Sequence, residues 1–134
     1  EAGTPNIADV IAFNEALKFV IGLGNKEDVL SYEQTLLDEA TERLKEIPGL
    51  TIIGEADQKI AVISFIIEGL HHFDIGMMLD AKGIAVRTGH HCTQPLMNRF
   101  GIDGTVRVSF SIYNTLEEVS IFADSLKQIV EKWR

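Results

Sequence analysis

Cys92 is the residue of this sequence best suited to covalent chemistry. It follows His90 and His91 and precedes Thr-Gln-Pro. Gly89 frees the backbone before it and the proline restricts the backbone after it, so the segment is predicted to be a loop. A thiol on a polar loop between imidazoles can hold thiolate character that a buried thiol lacks. A lone cysteine is more commonly a small buried hydrophobe, so the residues alone leave a reactive and a structural Cys92 open.

Two arginines are the next candidates for a functional site. Arg87 and Arg107 each lie among apolar residues of a predicted strand, and Arg107 shares a face with Ser109 in the alternation Val-Arg-Val-Ser-Phe-Ser. A guanidinium on the polar face of a half-buried sheet suits a carboxylate, because its planar fork pairs with two oxygens. A structural ion pair with one of the many acidic residues is the alternative, and position alone favours it.

Histidine pairs at 71–72 and 90–91 supply side chains of the type that bind zinc. Adjacent histidines on an extended strand point to opposite faces, however, and the spacing matches no standard zinc pattern. We therefore predict no metal site, and expect His71 or His72, with Asp74, to form the entry to a short helix. The sequence also contains no glycine-rich phosphate loop and no Ser/His/Asp signature.

The elements that must position these side chains follow from the spacing of apolar residues. Helical spacing predicts a helix over 7–23 and a second over about 26–47, whose buried face holds Leu30, Leu37, Ala40, Leu44 and Ile47. Strands are predicted over 50–53, 59–67, 84–87 and 105–112. Further helices are predicted over 74–82, over 95–100, and from a Thr115–Glu118 capping box to about 133. This order predicts an α+β domain with a mixed or antiparallel sheet of about four strands and helices packed on one side.

Bulk composition narrows the function classes. The 134 residues suit one compact domain with a real core, since 46% are apolar. A net charge of −8 disfavours nucleic acid and anionic membranes as partners, and no apolar run approaches the ~20 residues of a membrane span. The single cysteine excludes an intrachain disulfide and suits a reducing, cytoplasmic location. A start at Glu1 without Met or signal peptide favours a piece of a longer protein.

The segment Arg87-Thr-Gly-His-His-Cys92, preceded by Leu-Asp-Ala-Lys-Gly-Ile-Ala-Val, resembles the active-site segment of group II (SUF-type) cysteine desulfurases and selenocysteine lyases, within the class-V aminotransferase-like pyridoxal phosphate (PLP) enzymes. The resemblance continues through Thr-Gln-Pro-Leu-Met97 and through Arg107-Val-Ser-Phe-Ser-Ile-Tyr-Asn-Thr115. It also includes the opening Glu-Ala-Gly-Thr-Pro-Asn6. Three matches in register, with helices between them, make the resemblance highly specific.

The resemblance implies a homodimeric fold-type I PLP enzyme that converts L-cysteine to L-alanine and leaves a persulfide for iron–sulfur cluster assembly. Some members act on L-selenocysteine. It implies these site residues: Cys92 as the catalytic nucleophile, Arg107 as the clamp on the substrate carboxylate, Arg87 in support, His90 and His91 in the active-site loop, and Gly3 and Thr4 at the PLP phosphate of the partner protomer.

Departures from the family limit what this chain is expected to do alone. Residues 1–25 match an inter-domain loop and connecting helix, and 26–134 match the small C-terminal domain. The lysine and the domain that hold PLP lie upstream in the family, so the fragment alone is predicted inactive. Phe73 precedes Asp74 where members that serve a zinc scaffold carry His, which favours a SufE-like sulfur acceptor. The alternatives are a stand-alone sulfur-carrier or interaction domain that presents Cys92, and an aminotransferase of this fold, which would not need the thiol.

Overall fold

The computed structural model describes residues 2–133. Its elements are α1 (Ile7–Gly22), α2 (Lys26–Lys45), β1 (Leu50–Ile53), β2 (Val62–Ile67), α3 (His72–Asp80), β3 (Arg87–Gly89), α4 (Gln94–Phe100), β4 (Thr105–Ser109) and α5 (Leu116–Trp133). The predicted order of helices and strands is therefore confirmed. None of the helices in this described part is long and apolar enough to cross a membrane.

Strand pairing in the sheet is antiparallel at every step, in the order β1-β2-β4-β3. The mixed alternative is thus excluded, and the predicted four-stranded α+β layer is confirmed. Because β4 lies between β2 and β3, each of its residues can have a cross-strand partner on both sides. This central position makes β4 the strand that fixes the geometry around Arg107.

One face of the sheet carries the core. Ile63, Phe65 and Ile67 of β2 are buried and alternate with half-buried residues, and Val106 and Val108 of β4 lie on the same face. Burial of a side chain such as Phe65 stabilises the fold by about 2–3 kcal/mol. The helices complete the core with these buried residues: Leu36, Leu37, Ala40, Leu44, Ile75, Leu79, Val119, Phe122, Leu126, Ile129 and Val130.

The capping box predicted at the start of α5 is confirmed. Glu118 N donates to Thr115 Oγ1 over 3.2 Å, and Thr115 N donates to Glu118 Oε2 over 2.9 Å. At the start of α3 the N-cap is His71, whose Nδ1 accepts a hydrogen bond from Phe73 N over 3.3 Å. Alpha3 therefore begins at His72, two residues earlier than predicted.

Strand boundaries differ from the prediction most clearly at β3. The strand was expected over 84–87 but covers Arg87–Gly89. Ile84 N donates to Leu79 O over 3.0 Å, so Ile84 still belongs to the turn that ends α3 and not to the strand. Thr88 and Gly89, predicted as loop, consequently lie in the sheet.

Two other predicted strands are shorter than expected. Beta2 begins at Val62 because Val62 N bonds to Ile60 O over 2.6 Å in a tight turn. Beta4 ends at Ser109, since a turn between Ser111 and Asn114 follows, in which Asn114 N donates to Ser111 O over 2.9 Å.

The contacts within the chain define two compact units, Glu1–Tyr32 and Glu33–Arg134. In the first unit, Asn6 caps α1 by accepting a hydrogen bond from Asp9 N, and no residue of α1 is buried. Leu30, predicted on the buried face of α2, belongs to this unit and is half exposed, whereas Leu36 of the second unit is fully buried. The division at residue 25 stays a prediction.

Candidate active site

Arg87 and Arg107 are direct cross-strand neighbours. They are register partners between β3 and β4, and Ser64 of β2 faces Arg107 from the other side. Like charges placed opposite one another in a sheet are unfavourable. Within residues 2–133 neither arginine forms an ion pair, and the buried Nε of Arg107 has no hydrogen-bond partner. The pair therefore offers two donor groups to an anion on the face opposite the core.

Cys92 lies in a tight turn that follows β3 directly. His91 and Cys92 both have positive φ, 52° and 60°, a region that residues other than glycine avoid because Cβ crowds the carbonyl oxygen. Thr93 N donates to His90 O over 2.8 Å and closes the turn, which has the two positive φ angles of a type I′ turn. Inside it, Cys92 N donates to His90 Nδ1 over 3.0 Å. The result is an exposed thiol at the tip of a defined turn.

His91 turns back from this tip toward the sheet. Its Nε2 lies 2.9 Å from Oγ1 of Thr105, which is buried at 1% exposure. Burial lowers the pKa of His91 below its usual value, and the positive charge of Arg107 lowers it further. A hydrogen bond to the Thr105 backbone raises this pKa, and the charge of Arg87 lowers it. The neutral form of His91 is therefore favoured beside the two guanidinium groups.

The rings of His71 and His72 lie against each other at the start of α3, with 4.1 Å between their centroids and a tilt of 35° between their planes. Burial lowers the pKa of His72, and the neighbouring His71 lowers it further. The His72 ring lies against Gly104, where an added Cβ would come 2.6 Å from Nε2 and 2.8 Å from the carbonyl carbon of Gly89. In the described part of the chain, no three His, Cys, Asp or Glu residues are grouped so that they could hold a metal ion.

Gly3 and Thr4 lie in the first unit, in the segment before α1. Both are exposed, and Gly3 has a φ of 102°. The structure thus brings together Cys92, His90, His91, Arg87 and Arg107 through β3 and β4, whereas Gly3 and Thr4 belong to the other unit.

Three residues near the site were not predicted to belong to it. Ser64 of β2 is the cross-strand partner of Arg107. Thr105 lies on the Arg107 face of β4, which the alternation predicts to be polar, yet it is buried. No local signal identifies Thr105, because its partner His91 lies fourteen residues away in sequence. His72 was assigned to the helix entry, and its contact with Gly104 follows only from packing.

Comparison with known proteins identifies the family to which this chain belongs. The sequence profile described as aminotransferase class-V matches residues 1–122. The chain belongs to this family. It is 47% identical over 131 residues to a probable cysteine desulfurase of Mycobacterium leprae, covering 98% of this chain and 21% of the relative. It is also 47% identical over 129 residues to a cysteine desulfurase of Synechococcus elongatus, covering 96% of this chain and 20% of the relative.

Solved structures of cysteine desulfurases have the same fold. A cysteine desulfurase of Thermococcus onnurineus superposes with a TM-score of 0.92 at 37% identity, covering 98% of this chain and 33% of that one. The cysteine desulfurase CsdA of Escherichia coli gives 0.91 at 33% identity, covering all of this chain and 33% of its own. The resemblance stated from the sequence is confirmed. The chain spans about a fifth to a third of the length of these relatives.

Proposed function

We propose that this chain is the C-terminal part of a PLP-dependent cysteine desulfurase, in which Cys92 accepts sulfur and Arg107 binds the substrate carboxylate. The observation that carries the proposal is the cross-strand pair Arg87–Arg107, which has no acidic partner among the described residues. The strand that holds Arg87, β3, continues directly into the turn that exposes Cys92. The named relatives are cysteine desulfurases, which supports the same assignment.

Arg107 is suited to a carboxylate because its Nε is buried and without a partner. A bidentate, charge-assisted hydrogen bond there would satisfy that atom and fix the orientation of an amino-acid substrate. Arg87, directly opposite, adds positive charge on the same face. The carboxylate would also relieve the repulsion between the two guanidinium groups.

Cys92 would act as a thiolate on the sulfur of L-cysteine. A bond forms between the two sulfur atoms, and the bond between the substrate sulfur and its β-carbon breaks. The electron pair stays with the β-carbon, which takes up a proton and yields L-alanine. The enzyme is left with a persulfide on Cys92 for iron–sulfur cluster assembly. L-Selenocysteine, which carries selenium in place of sulfur and the same α-carboxylate, is the alternative substrate.

PLP supplies an electron sink for such chemistry when it is bound, but the residues of this chain do not provide its Schiff-base lysine. The seven lysines stand at 18, 26, 45, 59, 82, 127 and 132, outside β3, β4 and the Cys92 turn. Lys18 and Lys45 are engaged with glutamates, and Lys82 bonds to Gln128. We therefore assign PLP to an upstream domain. The family resemblance of the opening segment would place Gly3 and Thr4 at the phosphate of the partner protomer in a homodimer.

An upstream domain would also cover α1. Eight of its apolar side chains are between 45% and 78% exposed: Ile7, Val10, Ile11, Phe13, Leu17, Phe19, Val20 and Ile21. Exposed apolar surface of this extent is typical of a surface that another domain buries. Phe73 before Asp74 favours a SufE-like acceptor for the sulfur over a zinc scaffold, and the single cysteine of this chain fits a reducing cytoplasm.

The test uses the full-length polypeptide, supplied with PLP and L-cysteine. We expect alanine formation and a mass gain of about 32 Da on the Cys92 peptide from the persulfide. Cys92→Ser should abolish both. Arg107→Gln should lower kcat/KM for L-cysteine about ten- to a hundredfold, because a charge-assisted hydrogen bond is lost. Arg99→Gln, on the exposed surface of α4, is the matched control and should behave as wild type.

Undiminished alanine formation from L-cysteine by Cys92→Ser would overturn the assignment of the nucleophile. A polypeptide that binds no PLP, yet takes sulfur onto Cys92 from an added persulfide donor, would instead support the stand-alone sulfur carrier.

A further inference from the structure

We propose that His91 is a positioning residue that fixes Cys92 in its turn by bonding to the buried hydroxyl of Thr105. The role of Cys92 as sulfur acceptor rests on the proposed function above. The hydrogen bond between His91 and Thr105 and the geometry of the turn are observed within this chain and do not depend on that proposal.

Thr105 provides a fixed anchor. It begins β4, pairs with Gly89 of β3, and is 1% exposed. The next residue, Val106, is fully buried in the core. A hydroxyl on such a strand has little freedom to move, since it is held by the sheet on one side and by packed side chains around it. His91 Nε2, at 2.9 Å from Oγ1, is therefore tied to the most rigid part of the site.

The other hydrogen bonds of residues 90–93 are internal to the turn or lead to α4, where Leu96 N and Met97 N donate to Thr93 O over 2.9 and 3.2 Å. Thr93 N and Thr93 Oγ1 both donate to His90 O, and Cys92 N donates to His90 Nδ1. Among the hydrogen bonds that residues 90–93 make within the described chain, only the one between His91 and Thr105 reaches the sheet. This hydrogen bond thus links the Cys92 turn to β4.

The conformation of the turn is also strained. His91 and Cys92 both occupy the left-handed region, which side chains with a Cβ disfavour. Without the bond to Thr105 the turn is free to relax toward negative φ, and this change would swing the Cys92 Cβ and its sulfur away. Nucleophilic attack depends on placement of the reacting atoms at close range, so such a displacement slows the reaction.

Two substitutions at Thr105 separate the hydroxyl from the packing. Thr105→Val keeps the branched shape and removes the hydroxyl, whereas Thr105→Ser keeps the hydroxyl and removes a methyl group. In the full-length polypeptide we expect Thr105→Val to lower kcat for L-cysteine about three- to tenfold, the worth of one hydrogen bond, with KM within about twofold of wild type. Thr105→Ser should retain kcat within about twofold, which a packing role would not allow.

A double-mutant cycle with His91→Ala tests whether the two residues act together. We expect His91→Ala to lower kcat as much as Thr105→Val does, and the double variant to be no slower than either. The alkylation rate of Cys92 by iodoacetamide, followed by peptide mass spectrometry, should rise equally in the two single variants and stay near wild type in Thr105→Ser.

The inference is overturned if Thr105→Ser is as impaired as Thr105→Val, or if the effects of His91→Ala and Thr105→Val multiply. Alkylation does not require turnover. If the wild-type polypeptide makes no alanine from L-cysteine, the proposed function fails, while the alkylation rates still decide whether Thr105 and His91 position the thiol.

Discussion

Gly104 is the residue at which the packing of the site can be tested most directly, by the substitution Gly104→Ala. A Cβ at this position would lie 2.6 Å from His72 Nε2 and 2.8 Å from the carbonyl carbon of Gly89. The φ of Gly104 is not positive, so alanine meets no backbone conflict of its own. The cost is therefore steric, and overpacking of this kind lowers the free energy of unfolding by about 1–3 kcal/mol.

The two contacts should contribute separately. The His72 ring can be removed by His72→Ala, whereas the Gly89 carbonyl carbon belongs to the backbone of β3 and cannot retreat without moving the Cys92 turn. We expect the double variant His72→Ala, Gly104→Ala to cost at least about 0.5 kcal/mol less than the sum of the singles, because residues in contact are not additive. The loss of stability that Gly104→Ala still causes in the His72→Ala background measures the contact with Gly89.

Urea denaturation of the 134-residue chain, followed by circular dichroism, measures these free energies. Gly22→Ala is the matched control: Gly22 ends α1, has nothing within 4 Å of an added Cβ, and should be neutral or up to about 1 kcal/mol more stable. A Gly104→Ala variant that unfolds within about 0.5 kcal/mol of wild type would refute the packing of His72 and β3 against Gly104.

Three further predictions concern charge and capping. The pKa of His72 is lowered by burial, so the stability that neutral His72 contributes is complete above the unfolded pKa of about 6.5 and is lost as pH falls below it; His72→Asn should therefore lose less stability than wild type between about pH 7.5 and 5.5 in urea titrations. Arg87→Gln removes the repulsion across from Arg107, so it should raise the free energy of unfolding by about 0.2–1 kcal/mol without a carboxylate ligand, measured by urea titration. Thr115→Ala breaks the capping box of α5 and should cost about 0.5–2 kcal/mol, measured by thermal unfolding.

Each of these has its own control. An acid-induced loss in His72→Asn equal to that of wild type would contradict the first. Arg99→Gln carries the same charge change away from the pair, so an equal gain there would mean that net charge, and not the cross-strand contact, is responsible. Thr115→Ser keeps the capping hydroxyl and should remain close to wild type; a loss matching that of Thr115→Ala would refute the role of the cap.

Local patterns in the sequence were sufficient for much of the fold. Helical spacing in α1, α2 and α5, the alternation in β4, and the Thr115–Glu118 capping box are short-range features, and each begins where it was predicted, although β4 ends three residues early at Ser109. The boundaries of β3 and β2 were less accurate because they depend on turns, such as the bond from Ile84 N to Leu79 O, that leave no periodic trace in the sequence.

The sequence by itself determined which residues could do chemistry here: a thiol on a polar loop and two arginines on strands. Only the tertiary structure decided how they are arranged, by placing Arg87 opposite Arg107 and His91 over Thr105. Strand register links residues that lie far apart along the chain, and a shift of one residue would send every side chain of β3 to the other face. That register, and with it the site, depends on contacts between α3, β3 and β4 that no single segment specifies.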